Sequence, residues 1–109
     1  PKNGVYLIST IINQNIIFGM MNIGMNPTVN GKQQSIEMHL FDFSKDIYNN
    51  QFSIELIERL RKEQKFNSLQ ELKEQLYKDK KLNEVQNRFM SDFRLSKELY
   101  DFKKMIHLN

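Results

Sequence analysis

Two stretches of this chain carry side chains that can handle protons and anions. Ile36-Glu37-Met38-His39-Leu40 places a carboxylate and an imidazole two residues apart, so on an extended strand both fall on one face. A carboxylate held on a rigid strand can accept a proton. Upstream, Gly19-Met20-Met21-Asn22-Ile23-Gly24-Met25-Asn26-Pro27-Thr28-Val29 combines an amide that can donate or accept with glycines that let backbone approach a phosphate. Each piece also has an ordinary reading. Glu37 can be a solvent-facing strand residue, His39 a packed histidine, Asn22 and Gly24 turn chemistry, and Arg61 with Glu63 a local ion pair. The Met20, Met21 and Met25 cluster reads as adaptable packing. With no Cys there is no thiolate nucleophile or thiolate metal site, and the two His, at 39 and 107, are too distant in sequence to suggest a zinc centre.

The elements that must position these residues are legible in outline. Val5-Tyr6-Leu7-Ile8, continuing through Ile11-Ile12, and Ile16-Ile17-Phe18 are β-branched or aromatic runs joined by Asn13-Gln14-Asn15, a hairpin signal. Gly24, Pro27 and Gly31 then punctuate a stretch, 24–34, that reads as a long polar loop. Ile36, Met38 and Leu40 alternate with Glu37, His39, Phe41 and Phe43 as a strand with both faces in use. Turns are expected at Ser44-Lys45-Asp46 and Asn49-Asn50. Phe52 to Arg61 fits a strand or a helical stripe on periodicity alone. Ser68-Leu69-Gln70-Glu71 is a capping box opening a helix to about Asp79, with Leu69, Leu72 and Leu76 on one face. Val85, Phe89 and Phe93 form a second helical stripe and Leu99, Phe102 and Ile106 a third, with a phase break expected near Leu95-Ser96.

Composition narrows the class. A length of 109 residues suits one modest core, and 39% hydrophobic with 27% charged residues is ordinary for a folded chain. No apolar run approaches the roughly 20 residues that span a bilayer, and no secretory signal is present. The net charge of +3 arises entirely after residue 44, where 14 basic side chains mix with 11 acidic ones. That is a solvated mixed surface rather than a basic stripe, and aromatics are not interleaved with Lys and Arg, which argues against nucleic-acid binding.

The ordered series formed by the Gly19–Val29 stretch, Ile36-Glu37-Met38-His39-Leu40-Phe41-Asp42-Phe43, Asp46-Ile47-Tyr48, Leu60-Arg61-Lys62-Glu63, Lys65-Phe66 and Ser68-Leu69-Gln70-Glu71-Leu72 resembles the riboflavin kinase (flavokinase) module of bacterial bifunctional FAD synthetases. Gly4-Val5-Tyr6 matches the strand that follows that family's nucleotide loop, and the likeness covers roughly residues 4–80. It implies a mainly β fold with C-terminal helices, a small antiparallel Greek-key barrel, and it resolves Phe52 to Leu60 as a strand. It also implies a cytoplasmic enzyme of FMN and FAD biosynthesis that transfers the γ-phosphoryl of ATP, with Mg2+ or another divalent ion, to the 5′-hydroxyl of riboflavin. By the same resemblance Glu37 is the catalytic base, Asn22, Gly24, Pro27 and Thr28 lie in the nucleotide and phosphate loop, and Arg61 and Glu63 lie on the flavin side. The implied partners are riboflavin or FMN and ATP or ADP, with no nucleic acid and no membrane.

Three departures accompany the likeness. The family's Gly-rich Pro-Thr-Ala-Asn loop, which holds metal and phosphates, precedes the Gly-Val-Tyr strand and is not in this chain, nor are the first barrel strand and the adenylyltransferase domain. An open sheet edge, a processed fragment and a weakened activity are therefore expected. Asn49-Asn50 stand where relatives carry Gly, a conservative change for a left-handed turn. Residues 82–109 have no counterpart, so the expected organisation is a barrel with its first helix over 1–80 and a helical extension over 81–109. The alternative is a non-catalytic module that dimerises or docks through the open edge or the C-terminal helices.

Overall fold

A computed structural model describes residues 1–41 and 53–108. The expected turns at 44–46 and 49–50, and the expectations for Asp42, Phe43, Ile47, Tyr48 and Phe52, lie outside the described residues. Four strands, β1 (Gly4–Ile12), β2 (Asn15–Thr28), β3 (Gly31–Leu40) and β4 (Ile54–Arg61), precede three helices, α1 (Leu69–Lys78), α2 (Lys80–Arg88) and α3 (Phe93–Leu108). The chain divides into two compact units, Pro1–Glu63 and Gln64–Asn109.

In the first unit every strand pair is antiparallel and the order is β3-β2-β1-β4. The mainly β arrangement with C-terminal helices is as expected. The sheet, however, is open rather than a closed barrel among the described residues, with β3 and β4 at its ends. β1 and β2 meet at a two-residue turn in which Asn13 (φ 51°) and Gln14 (φ 69°) are both left-handed, the geometry whose twist matches a hairpin.

The stretch expected as a loop over 24–34 is instead paired strand, from Gly24↔Ser35 out to Thr28↔Gly31. Its polar side chains are exposed, while alternate backbone groups of each strand are satisfied by the ladder. β1 pairs β2 only as far as Gly4↔Ile23, so beyond Ile23 the hairpin runs on as a two-stranded ribbon. Pro27 lies in that part, where no β1 neighbour requires its missing N–H.

Tyr6, Ile8, Met21, Ile23 and Leu40 form a buried cluster with Ile12, Ile17 and Ile54 packed against it. Val5, Leu7 and Met20, of opposite parity, are buried as well. Each such fully buried aliphatic contributes about 1.5–3 kcal/mol. Along β4 the register slips twice against β1, between Leu7/Ile8 and between Val5/Tyr6, so Ile57 and Leu60 are extra residues that bend the strand.

In the second unit, Leu72, Leu76, Leu82, Val85, Leu95, Leu99 and Phe102 are buried. The capping box forms: Glu71 N donates to Ser68 Oγ (3.2 Å), and Glu71 Oε2 accepts from Asn67 N (2.9 Å). The two compact units meet at 63/64, and within the second α1 packs against α2 and α3. The second helical break also falls earlier than the phase change suggested. Asp92 Oδ1 accepts from Leu95 N (3.0 Å) and Ser96 Oγ donates to Phe89 O (2.7 Å), so α3 starts at Phe93. Phe93 is 82% exposed and leaves the stripe begun by Val85 and Phe89.

Candidate active site on the β2–β3 hairpin

The register fixes which candidate side chains meet. Glu37 lies opposite Asn22, His39 opposite Met20, and Ser35 opposite Gly24. Because parity sets the face, Asn22, Gly24, Ser35, Glu37 and His39 share one side of the sheet. Val5, opposite Asn22 on β1, and Leu7, opposite Met20, extend that face as an apolar floor, both with no exposed area. Directly opposite residues have Cβ atoms only about 4.5–5.5 Å apart, so Glu37 and Asn22 leave the sheet side by side.

Their environments differ. Glu37 is exposed and, among the described residues, makes no hydrogen bond or ion pair. Asn22 is half-buried, and its Oδ1 is buried with no hydrogen-bond partner. A buried acceptor left unsatisfied costs about 1–3 kcal/mol, which is a standing preference for a donor arriving at that point. His39 is half-buried, its ring 6.1 Å from that of Phe41 in an edge-on arrangement.

Pro27 and Thr28 do not join this group. Asn22, Gly24, Pro27 and Thr28 were expected in one loop, but they are strung along a single strand. At about 3.3 Å per residue Thr28 lies some ~20 Å from Asn22, at the exposed tip of the hairpin.

Gly24 has a neighbour the sequence did not suggest. A Cβ at Gly24 would fall 2.8 Å from Glu63 Oε1. That oxygen accepts the Met25 backbone N–H at 2.8 Å, and Oε2 accepts from Asn3 Nδ2 at 3.2 Å. Glu63 therefore engages backbone and an amide rather than forming the ion pair with Arg61 considered from sequence. Arg61 sits half-buried at the end of β4, opposite Val5.

Arg59, which sequence reasoning passed over, donates from Nε (3.3 Å) and Nη2 (2.8 Å) to Asn3 O. Gly4, at φ +155°, admits this approach, since a Cβ there would lie 2.6 Å from Arg59 Nε. An arginine one residue past Ile57-Glu58 carries no local signal for such a role; only the bulged register of β4 aims it at the start of β1.

Among the described residues no group of three or more His, Asp or Glu could hold a metal ion, so no donor set for the implied divalent cation is assembled by them. No described helix is long and apolar enough to cross a membrane.

The riboflavin kinase family model matches residues 1–86. The chain is 43% identical over 83 residues to a bifunctional riboflavin kinase/FMN adenylyltransferase of Bacillus subtilis, covering 73% of this chain and 26% of that protein. It is 38% identical over 79 residues to the RNA-binding riboflavin kinase RibR of the same organism, covering 72% of this chain and 34% of RibR. The crystal structure of a macrolide-efflux protein from Streptococcus pneumoniae superposes with a TM-score of 0.61 at 32% identity, over 75% of this chain and 27% of that one. The chain thus spans about a quarter to a third of the length of these proteins.

Proposed function

Because this chain belongs to the riboflavin kinase family, we propose that it is a flavin-phosphorylating module, transferring the γ-phosphoryl group of ATP to the 5′-hydroxyl of riboflavin to give FMN and ADP. The observation that carries the reading is the pairing of an exposed Glu37 with a buried Asn22 oxygen that lacks a donor among the described residues, both on the face that carries Val5 and Leu7.

The riboflavin 5′-hydroxyl is a poor nucleophile, and its proton needs an acceptor as the new O–P bond forms. Glu37 takes that proton. The hydroxyl oxygen bonds to the γ-phosphorus while the bond from that phosphorus to the β,γ-bridging oxygen breaks, and ADP leaves with the electron pair. Phosphoryl transfer depends otherwise on alignment and on neutralising the phosphate charge. Asn22, nearest the base, and Gly24 form the nucleotide side of this reading, Pro27 and Thr28 lying farther out along the ribbon, and Arg61 forms the flavin side. A divalent ion, Mg2+ or another, accompanies the nucleotide when bound and neutralises part of its charge. No step is assigned to it, since the described residues gather no ligand set.

We place the module in FMN and FAD biosynthesis in the cytoplasm, where ATP is formed. RNA binding, which RibR's name states for that protein, is not carried over, because the basic residues here are mixed with acidic ones rather than striped. The test is riboflavin fluorescence titrated with the chain in the presence of MgATP, followed by chromatography for FMN. Quenching with FMN formation supports the reading; neither quenching nor FMN overturns it.

The open ends of the sheet favour a second reading, a non-catalytic module that pairs through β3 or β4. A monomer in sedimentation that turns riboflavin over excludes that alternative.

A further inference from the structure

We propose that Glu63 is a positioning residue for the phosphoryl-transfer site, acting as a latch that fixes the β2–β3 ribbon to the rest of the sheet; this rests on the function proposed above. Ile23 is the last residue of β2 paired with β1. Met25, two residues on, turns its N–H to the side where β1 has ended, and there Glu63 Oε1 accepts it at 2.8 Å. The other carboxylate oxygen accepts from Asn3, the residue just before β1. One side chain following β4 thus ties together the start of β1 and the point where β2 leaves it. Arg59, bonded to Asn3 O, secures the same corner.

Gly24 is the complement of this latch. Its missing side chain would project onto the face that carries Asn22, and the Glu63 carboxylate fills that space. The glycine expected to let backbone approach a phosphate lets it approach a carboxylate of the same chain. The consequence is local. Asn22 lies two residues before Gly24 and opposite Glu37, so the latch sits at the root of the ribbon whose first rungs hold the base and the orphaned amide. A two-stranded ribbon is marginally ordered alone, and displacing reacting groups by about 1 Å can cost about 100-fold in rate.

Three variants and two measurements test this. Glu63→Ala is expected to lower kcat about 10-fold or more while changing the KM for riboflavin less than about 3-fold. Glu63→Gln is expected to restore most of the rate, since its carbonyl still accepts from Met25 and the Asn3 amide can rotate to meet its NH2. Gly24→Ala is expected to lower kcat as Glu63→Ala does, and the double variant to be no worse than either single one, because removing the carboxylate makes room for the methyl group.

Independently of activity, exchange of the Met25 amide with solvent, followed by NMR on the purified chain, is expected to accelerate at least 10-fold in Glu63→Ala and not in Glu63→Gln. Additive losses in the double variant, unchanged kcat in Glu63→Ala, or unchanged Met25 exchange would overturn the latch. Absence of turnover in the parent chain with normal Met25 protection lost in Glu63→Ala instead overturns the function and leaves the latch standing.

Discussion

Glu37 and Asn22 face one another across the β2–β3 ladder, the carboxylate exposed and the carboxamide oxygen buried without a donor. The pair joins a group free to take a proton to a group that lacks one to accept. Among the described residues neither side chain is drawn into the hydrogen bonds that hold the sheet, so both can be spent on a ligand without cost to the fold.

Replacing Glu37 by Gln keeps the size and the strand position while removing the proton acceptor. General-base assistance is commonly worth about 10²–10⁴-fold, so kcat for FMN formation is expected to fall at least ~100-fold. Riboflavin affinity, read from fluorescence quenching, should change less than about 3-fold, the pattern of an interaction made only in the transition state. A variant turning over within a few-fold of the parent would move the base to another residue.

The turn between β1 and β2 holds Gln14 at φ 69°, a conformation that costs a side-chain-bearing residue about 1–2 kcal/mol. Asn13, by contrast, is among the residues that tolerate it. Gln14→Gly produces the Asn-Gly pair that this turn type favours. The change is expected to raise stability by about 0.5–1 kcal/mol after the added flexibility of the unfolded chain is counted. A higher urea midpoint with an unchanged slope is the expected result; an equal or lower midpoint contradicts it.

Two helix starts in the second unit, those of α1 and α3, carry a side-chain acceptor, while that of α2 carries none among the described residues. Ser68 caps α1 through Glu71 N, and Asp92 caps α3 through Leu95 N. Ser68→Ala and Asp92→Ala are each expected to cost about 1 kcal/mol, measured as loss of helical circular dichroism signal at lower denaturant. Asp92→Asn should retain most of the stability, since the amide oxygen can still accept. Equal losses in the Asn and Ala variants would show that the Asp92 charge, rather than its oxygen, matters.

What could be read in advance was local. The Asn13-Gln14-Asn15 turn, the strand over Ile36 to Leu40 and the Ser68–Glu71 box are each set by residues within a few positions of one another, and all three form, although of the strand's apolar set only Leu40 is buried while Ile36 and Met38 stay exposed. The ribbon over 24–34 reads as a loop because polar composition there reports solvent exposure, while strand structure is imposed by pairing across the hairpin with partners three to eleven residues away. Glu63 was readable as a charged residue at a strand end, yet its partner, Met25 N–H, is 38 positions distant, and no periodicity links them. The α2–α3 break was mislocated for a different reason. Hydrophobic phase marks which face is buried, but the cap at Asp92 decides where the backbone turns.

Asn22 supplies the sharpest separation between a structural and a binding role. If its side chain served the fold, Asn22→Ala would destabilise the chain by the 1 kcal/mol or so of a lost hydrogen bond. Its buried oxygen has no partner to lose, and removing an unsatisfied acceptor relieves a desolvation cost that offsets the packing lost with the side chain. Stability of Asn22→Ala is therefore expected within about 0.5 kcal/mol of the parent, or above it, by urea unfolding. In the same variant the affinity for ATP, measured by calorimetry with a divalent ion present, should fall about 5- to 10-fold, the weight of one hydrogen bond to ligand. A clear loss of stability with unaltered nucleotide affinity would return Asn22 to the scaffold and leave Glu37 without a companion on that face.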